Sequence, residues 1–207
     1  MPATVNPRGL VPSRTLRGST SFAMTIRPTR GANLNQIFAG DMVYLNANGR
    51  VQRSIVATVA GQPQLGVVGA VYNKRMRPLT HNLPSTASYL PVSTTGFVGV
   101  YEDPDIIYTA NCSASVGDSM IGLFANIILN APNTAAGISG MCVDGVDVTA
   151  TSQGHPFKIV ALSSNENLSA DPQQAIGATT GANYDVEVLI INHIWRNNRY
   201  SRTLTAA

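Results

Sequence analysis

The stretch GDMVYLNANGRVQRS, residues 40–54, decides how the chain folds. MVYLN (42–46) is a short apolar run with strand-forming side chains. Ala47-Asn48-Gly49 follows it, and Asn-Gly supplies the positive φ angles that a tight hairpin needs. RVQRSIV (50–56) then alternates partly between apolar and polar, as a half-buried return strand would.

Downstream the same grammar repeats. Gln62-Pro63-Gln64 turns the chain into LGVVGAVYN (65–73), which is rich in β-branched residues. KRMRPLTHNLPSTASY (74–89) has prolines and no periodicity, and reads as a link. Strands are then predicted at LPVS (90–93), GFVGVYE (96–102), IIYTANC (106–112), MCVDGVDV (141–148), PFKIVALS (156–163) and YDVEVLIINHIW (184–195). MIGLFANIIL (120–129) fits strand or helix by periodicity, and its isoleucines and surroundings favour strand. Helix signals occur only near 131–140 and 166–176. The expected class is all-β, a β-barrel or β-sandwich.

Upstream the composition changes. Pro2, Pro7, Pro12 and Pro28, with Gly9, Gly18 and Gly31, argue against a continuous helix or a long strand. Arg8, Arg14, Arg17, Arg27 and Arg30 are interspersed with isolated Leu10, Val11, Leu16, Phe22 and Ile26. The reading is an extended N-terminal arm (1–32), a β body (33–195) and a C-terminal tail (196–207). Arm residues Arg8, Leu10, Arg14, Leu16, Arg17, Phe22, Arg27 and Arg30 are the expected contacts to a neighbour. At the other end, Arg196, Arg199 and Tyr200 open a polar tail that also reaches outward. Trp195 reads equally as a barrel-end core residue or as a contact.

Only 12% of the 207 residues are charged, about half the usual fraction, so the surface suits being covered by another protein. The charge is also segregated. Residues 1–100 hold ten lysines and arginines against Asp41, residues 101–195 hold ten acids against Lys158, and three arginines follow. Blocks of opposite sign predict complementary contacts, within a subunit or between subunits. Arginines suit phosphate, but Phe22 is the arm's one aromatic and the acidic second half repels a polyanion. Protein is therefore the expected partner, not nucleic acid. No apolar run approaches a membrane span, and the N-terminus has no apolar core of a secretory signal.

The motifs of chemistry are sparse. No GxxxxGK[ST], GxGxxG or GxSxG pattern occurs. His81, His155 and His193 are scattered. Glu102, Asp103 and Asp105 around Pro104 offer carboxylates for calcium or for acid–base work; a strand-ending turn explains them more simply. Asp144-Gly145 with Asp147 reads as a hairpin turn. Cys112 and Cys142 read as buried thiols in a protein assembled in a reducing cytoplasm. The expectation is a non-enzymatic protein with no cofactor and no metal.

Two stretches carry a resemblance. Gly40, Asp41, Val43, Gly49, Val51, Gly66, Val67 and Val68 resemble the opening of tailed-bacteriophage head decoration (cement) proteins. GFVGVYEDPDIIYTANCSASVGDSMIGLFAN (96–126), AAGISGMCVD (135–144) and HPFKIVALS (155–163) are similar to head-accessory proteins of marine and short-tailed phages. Together they cover under half of the chain. The resemblance implies a small β-barrel bound outside a lattice of major capsid protein, often as a homotrimer, on the virion exterior after assembly in the host cytoplasm. Three other readings stay open: a virion fibre or adhesin module that binds glycans, a jelly-roll major shell protein, and a hydrolase using Asp103 or Asp105 with a histidine.

Overall fold

Short runs of Val, Ile, Leu and Tyr cut by Gly, Pro and Asn become strands in the computed structural model, which describes residues 8–29, 35–55, 62–79, 88–114, 116–152, 154–163 and 185–196. In chain order the strands are β1 (Leu10–Thr15), β2 (Thr25–Pro28), β3 (Met42–Leu45), β4 (Val51–Arg53), β5 (Gln64–Asn73) and β6 (Gly96–Tyr101). The rest are β7 (Ile106–Asn111), β8 (Phe124–Leu129), β9 (Met141–Thr149), β10 (Phe157–Leu162) and β11 (Asp185–Ile190). The fold is all-β, as expected, and one 3-10 turn at Asp118–Met120 is the sole helical element among the described residues.

The strands form two antiparallel sheets. One runs β1-β7-β11-β10-β8-β9 and the other β2-β6-β5-β3-β4. In the five-stranded sheet, a bridge between Thr29 and Val51 joins the end of β2 to β4. This brings the two edges together into a small barrel. In the six-stranded sheet, a bridge from Cys112 to Val143 joins the end of β7 to β9. Closure of the five-stranded sheet edge to edge removes unpaired strand rims that would otherwise recruit other chains, whereas β1 stays at an edge of the six-stranded one.

Each sheet encloses its own core. Val43, Val51, Leu65, Val68, Val71, Val98 and Val100 fill the five-stranded barrel with Ile37 and Leu90. Leu10, Ile106, Tyr108, Ile127, Met141, Phe157, Ile159, Val186 and Val188 fill the larger unit, and Met42 and Val67 of the five-stranded sheet join them. The two units are therefore packed together. Beyond β11 the chain also crosses between them: Gln64 donates its amide to the Asn192 carbonyl, and Ile194 donates to the Gln64 carbonyl.

The N-terminal arm is corrected. Residues 10–15 and 25–28 are strands of the subunit's own sheets. β1 lies along β7 with Leu10 opposite Ala110 and Thr15 opposite Ile106, and β2 lies along β6 with Thr25 opposite Val100. Leu10 is 2% exposed and belongs to the larger core. Gly9 and Gly40 explain the close approach. Both have positive φ, and a Cβ on Gly9 would lie 2.8 Å from the Gly40 Cα. Side chains are excluded there, and Leu10 can donate its amide to the Gly40 carbonyl at 2.9 Å. Pro12 is tolerated because β1 borders its sheet there, with a register shift between Pro12 and Arg14.

Smaller corrections follow the same physics. LPVS (90–93) is no strand: Leu90 makes one bridge to Ile37, and a turn follows. The helix signal near 131–140 resolves into a turn closed by a bridge between Asn133 and Ile138. The last strand ends at Ile190, so residues 191–195 are not strand. Asp144–Asp147 is not a hairpin turn but a bulge inside β9, in which four residues stand opposite Asn126 between the pairs Ala125–Val148 and Ile127–Val143. The helix signal at 166–176 and His81 lie outside the described residues.

Candidate interaction surface

Four of the arginines expected to reach a neighbour are met by acids of the same chain. Arg8 bonds Asp185, and Arg14 pairs with Glu187 at 2.6 Å. Arg27 grips both carboxylate oxygens of Glu102 at 2.6 and 2.8 Å, a planar fork that holds its partner more firmly than a single contact. Arg196 pairs with Asp105 at 2.6 Å. Of the predicted contact residues, Leu10 is core and Phe22 packs edge-on against Tyr101 with ring centroids 6.1 Å apart. Leu16 and Arg17 are exposed. Trp195 is 59% exposed, which removes it from the core. Arg30, Arg199 and Tyr200 lie outside the described residues.

One buried network is structural in character. The Asp41 carboxylate accepts from the Phe38 amide at 2.8 Å and from the Ser139 hydroxyl at 2.6 Å, and faces Arg53 at 2.9 Å. Burial pushes its pKa up, against the pull of Arg53 and Ser139. The group pins the loop before β3 to the loop before β9, so it positions the two units.

The candidate chemistry does not come together. Asp105 is held by Arg196, and Asp103 accepts from the Asp105 amide at 2.9 Å, which makes the Asp-Pro segment a turn. His193 is buried, and that burial lowers its pKa to about 4. Burial raises both thiols, Cys142 to about 12, which leaves them protonated and unreactive at neutral pH. Among the described residues no three His, Cys, Asp or Glu side chains are grouped to hold a metal, and no helix is long and apolar enough to cross a membrane.

Two surface features were not foreseen. The turns at 73–77 and 91–95 flank an open hollow of about 530 Å³ lined by Asn73, Lys74, Arg75, Ser93, Thr94 and Thr95. Met76 (φ 59°) and Ser93 (φ 60°), the non-glycine residues with positive φ among those described, both lie in these turns. The β9 bulge is the second feature. Val146 stands 82% exposed at its tip, the most exposed of the large apolar side chains described. The Asp144 carboxylate accepts from the amides of Val146 and Asp147 at 3.0 and 3.3 Å, and His155 and Asn126 hold Asp147 at 3.2 Å each.

No protein-family model matches the chain, and neither a curated protein nor a solved structure shows significant similarity to it. The functional reading therefore rests on the residues themselves.

Proposed function

We propose that the chain is a structural virion protein, a decoration subunit that binds the outer face of a major capsid protein lattice and stabilises the phage head. The observation that carries the reading is the small barrel. Residues 40–71, which bear the resemblance, supply β3, β4 and most of β5 of a five-stranded sheet whose edges meet at Thr29 and Val51.

The surface supports the same reading. Ion pairing within the chain ties up Arg8, Arg14, Arg27 and Arg196, while Val11, Leu16, Met24, Ile26 and Trp195 stay exposed. Exposed apolar side chains of this kind suit a partner that covers them. Docking is then the work of the folded body and not of a loose arm. Many modest contacts repeated over a lattice hold firmly through avidity.

The test is to locate the chain on intact particles by immunoelectron microscopy and to count its copies against the major capsid protein. The expected result is label over the head exterior at a fixed ratio, with particles lacking the chain rupturing at lower temperature. Label on tail fibres, together with glycan binding, would replace this reading with the adhesin one.

A further inference from the structure

The bulge and the hollow carry opposite charge: Asp144 and Asp147 stand on the first, Lys74 and Arg75 line the second. Arg8, Arg14, Arg27, Arg53 and Arg196 each face an acid of their own chain. Lys74, Arg75 and Arg77 instead share one exposed turn and make no ion pair among the described residues. The turn is built firmly: the Asn73 side chain accepts from the amides of Arg75 and Arg77 at 2.8 and 3.1 Å, and the Met76 amide donates to the Asn73 carbonyl. Left-handed backbone at Met76 and Ser93 is costly for residues with a Cβ, and such strain gathers where a surface is shaped for use. Exposed Met76 and Val92 adjoin the lining residues in the chain and offer apolar contact beside the cations.

The bulge offers the opposite charge beside an apolar group of its own. An apolar tip, Val146, stands between the carboxylates of Asp144 and Asp147, and hydrogen bonds fix its backbone before any partner arrives. A preformed tip loses little freedom on binding. We propose that the Asp144–Asp147 bulge of one copy seats in the Lys74–Arg75 hollow of a second copy. Val146 meets Met76 and Val92, while the two carboxylates face Lys74 and Arg75. The joint uses two different surfaces, so it is head-to-tail: it closes into a ring or continues as a filament according to the rotation between copies. It concerns the free protein in solution and stands whether or not the copies sit on a capsid.

Mixing two variants of the full chain tests it. Val146→Lys places a cation on the bulge and leaves the hollow intact; Lys74→Glu with Arg75→Glu reverses the hollow and leaves the bulge intact. All three positions are exposed, and thermal melts check that each variant keeps the fold. Sedimentation velocity at low salt should show wild type associating as concentration rises, each variant alone weakened about tenfold or more, and the equimolar mixture associating again, because each variant supplies the half that the other lacks. Salt should weaken the wild-type association. A wild-type chain that stays monomeric, variants that associate like wild type, or a mixture no stronger than either variant alone would each overturn the proposal. Should Val146→Lys lose the fold, Val146→Ser with the same hollow variant gives the same readout.

Discussion

Residues 8–29 and residues 73–77 are both rich in cationic side chains, and the chain treats them in opposite ways. In the first segment three of the four arginines, Arg8, Arg14 and Arg27, each find an acid from the 101–195 block while Arg17 stays exposed with no ion pair among the described residues, and the backbone between them is knitted into both sheets. In the second, Lys74, Arg75 and Arg77 stand on a rigid turn with no ion pair among the described residues. The difference teaches that a run of positive charge in a sequence does not by itself mark a contact surface. What marks one is charge that the fold leaves unanswered beside apolar groups that it leaves exposed.

The largest effect should come from removing residues 1–29. The truncated chain loses Leu10 from the larger core and loses β2, which joins the edges of the small barrel. Cooperative thermal unfolding should disappear in calorimetry; a merely attached arm would leave the transition unchanged. Within the segment, Leu10→Ala should cost about 2–5 kcal/mol, and Val11→Ala, at an exposed neighbour, less than about 0.5 kcal/mol. Denaturant titration separates the two, and equal small losses would restore the arm.

The C-terminal end sharpens the contrast through pH. His193 is buried near Arg196, and its pKa falls to about 4 in the folded protein, against about 6.5 in an unfolded chain. Below pH 6.5 the unfolded state takes up the proton first, so stability declines as pH drops toward 4. The loss at pH 5 relative to pH 7 is about 2 kcal/mol. His193→Gln should flatten this part of the stability profile, measured as the difference in slope from wild type.

The smallest effects separate answered from unanswered charge. A double-mutant cycle on Arg27→Ala and Glu102→Ala should give a coupling of about 0.5–1 kcal/mol, modest because the pair is partly solvated. Arg75→Ala should change stability by less than about 0.5 kcal/mol. A large loss at Arg75 would mean that the hollow is part of the fold's support.

Much of this architecture is legible in the sequence. Turn residues at short intervals and the Asn-Gly hairpin between β3 and β4 identify an all-β chain, and the segregated charge blocks predict complementary contacts within or between subunits. The N-terminal segment misleads because its signals are local while its partners are remote. Pro12 and the glycines look like interruptions, but an edge strand tolerates a proline, and Gly9 allows the close approach to Gly40. Ala110, the partner of Leu10, lies 100 residues away. The hollow and the bulge are hidden for another reason. Nothing in the letters at Met76 and Ser93 announces left-handed backbone, and nothing in MCVDGVDV says that Asp144–Asp147 will stand opposite a single residue.

Hydrogen exchange on the isolated full-length chain tests the central claim most directly. If residues 8–29 are structural members of the body, the amides of Leu10, Val11 and Arg14–Thr15 exchange as slowly as those of their partner strand Ile106–Asn111, with no other protein present. Exchange of these amides at the rate of an unstructured peptide, beside a protected β7, would contradict the account.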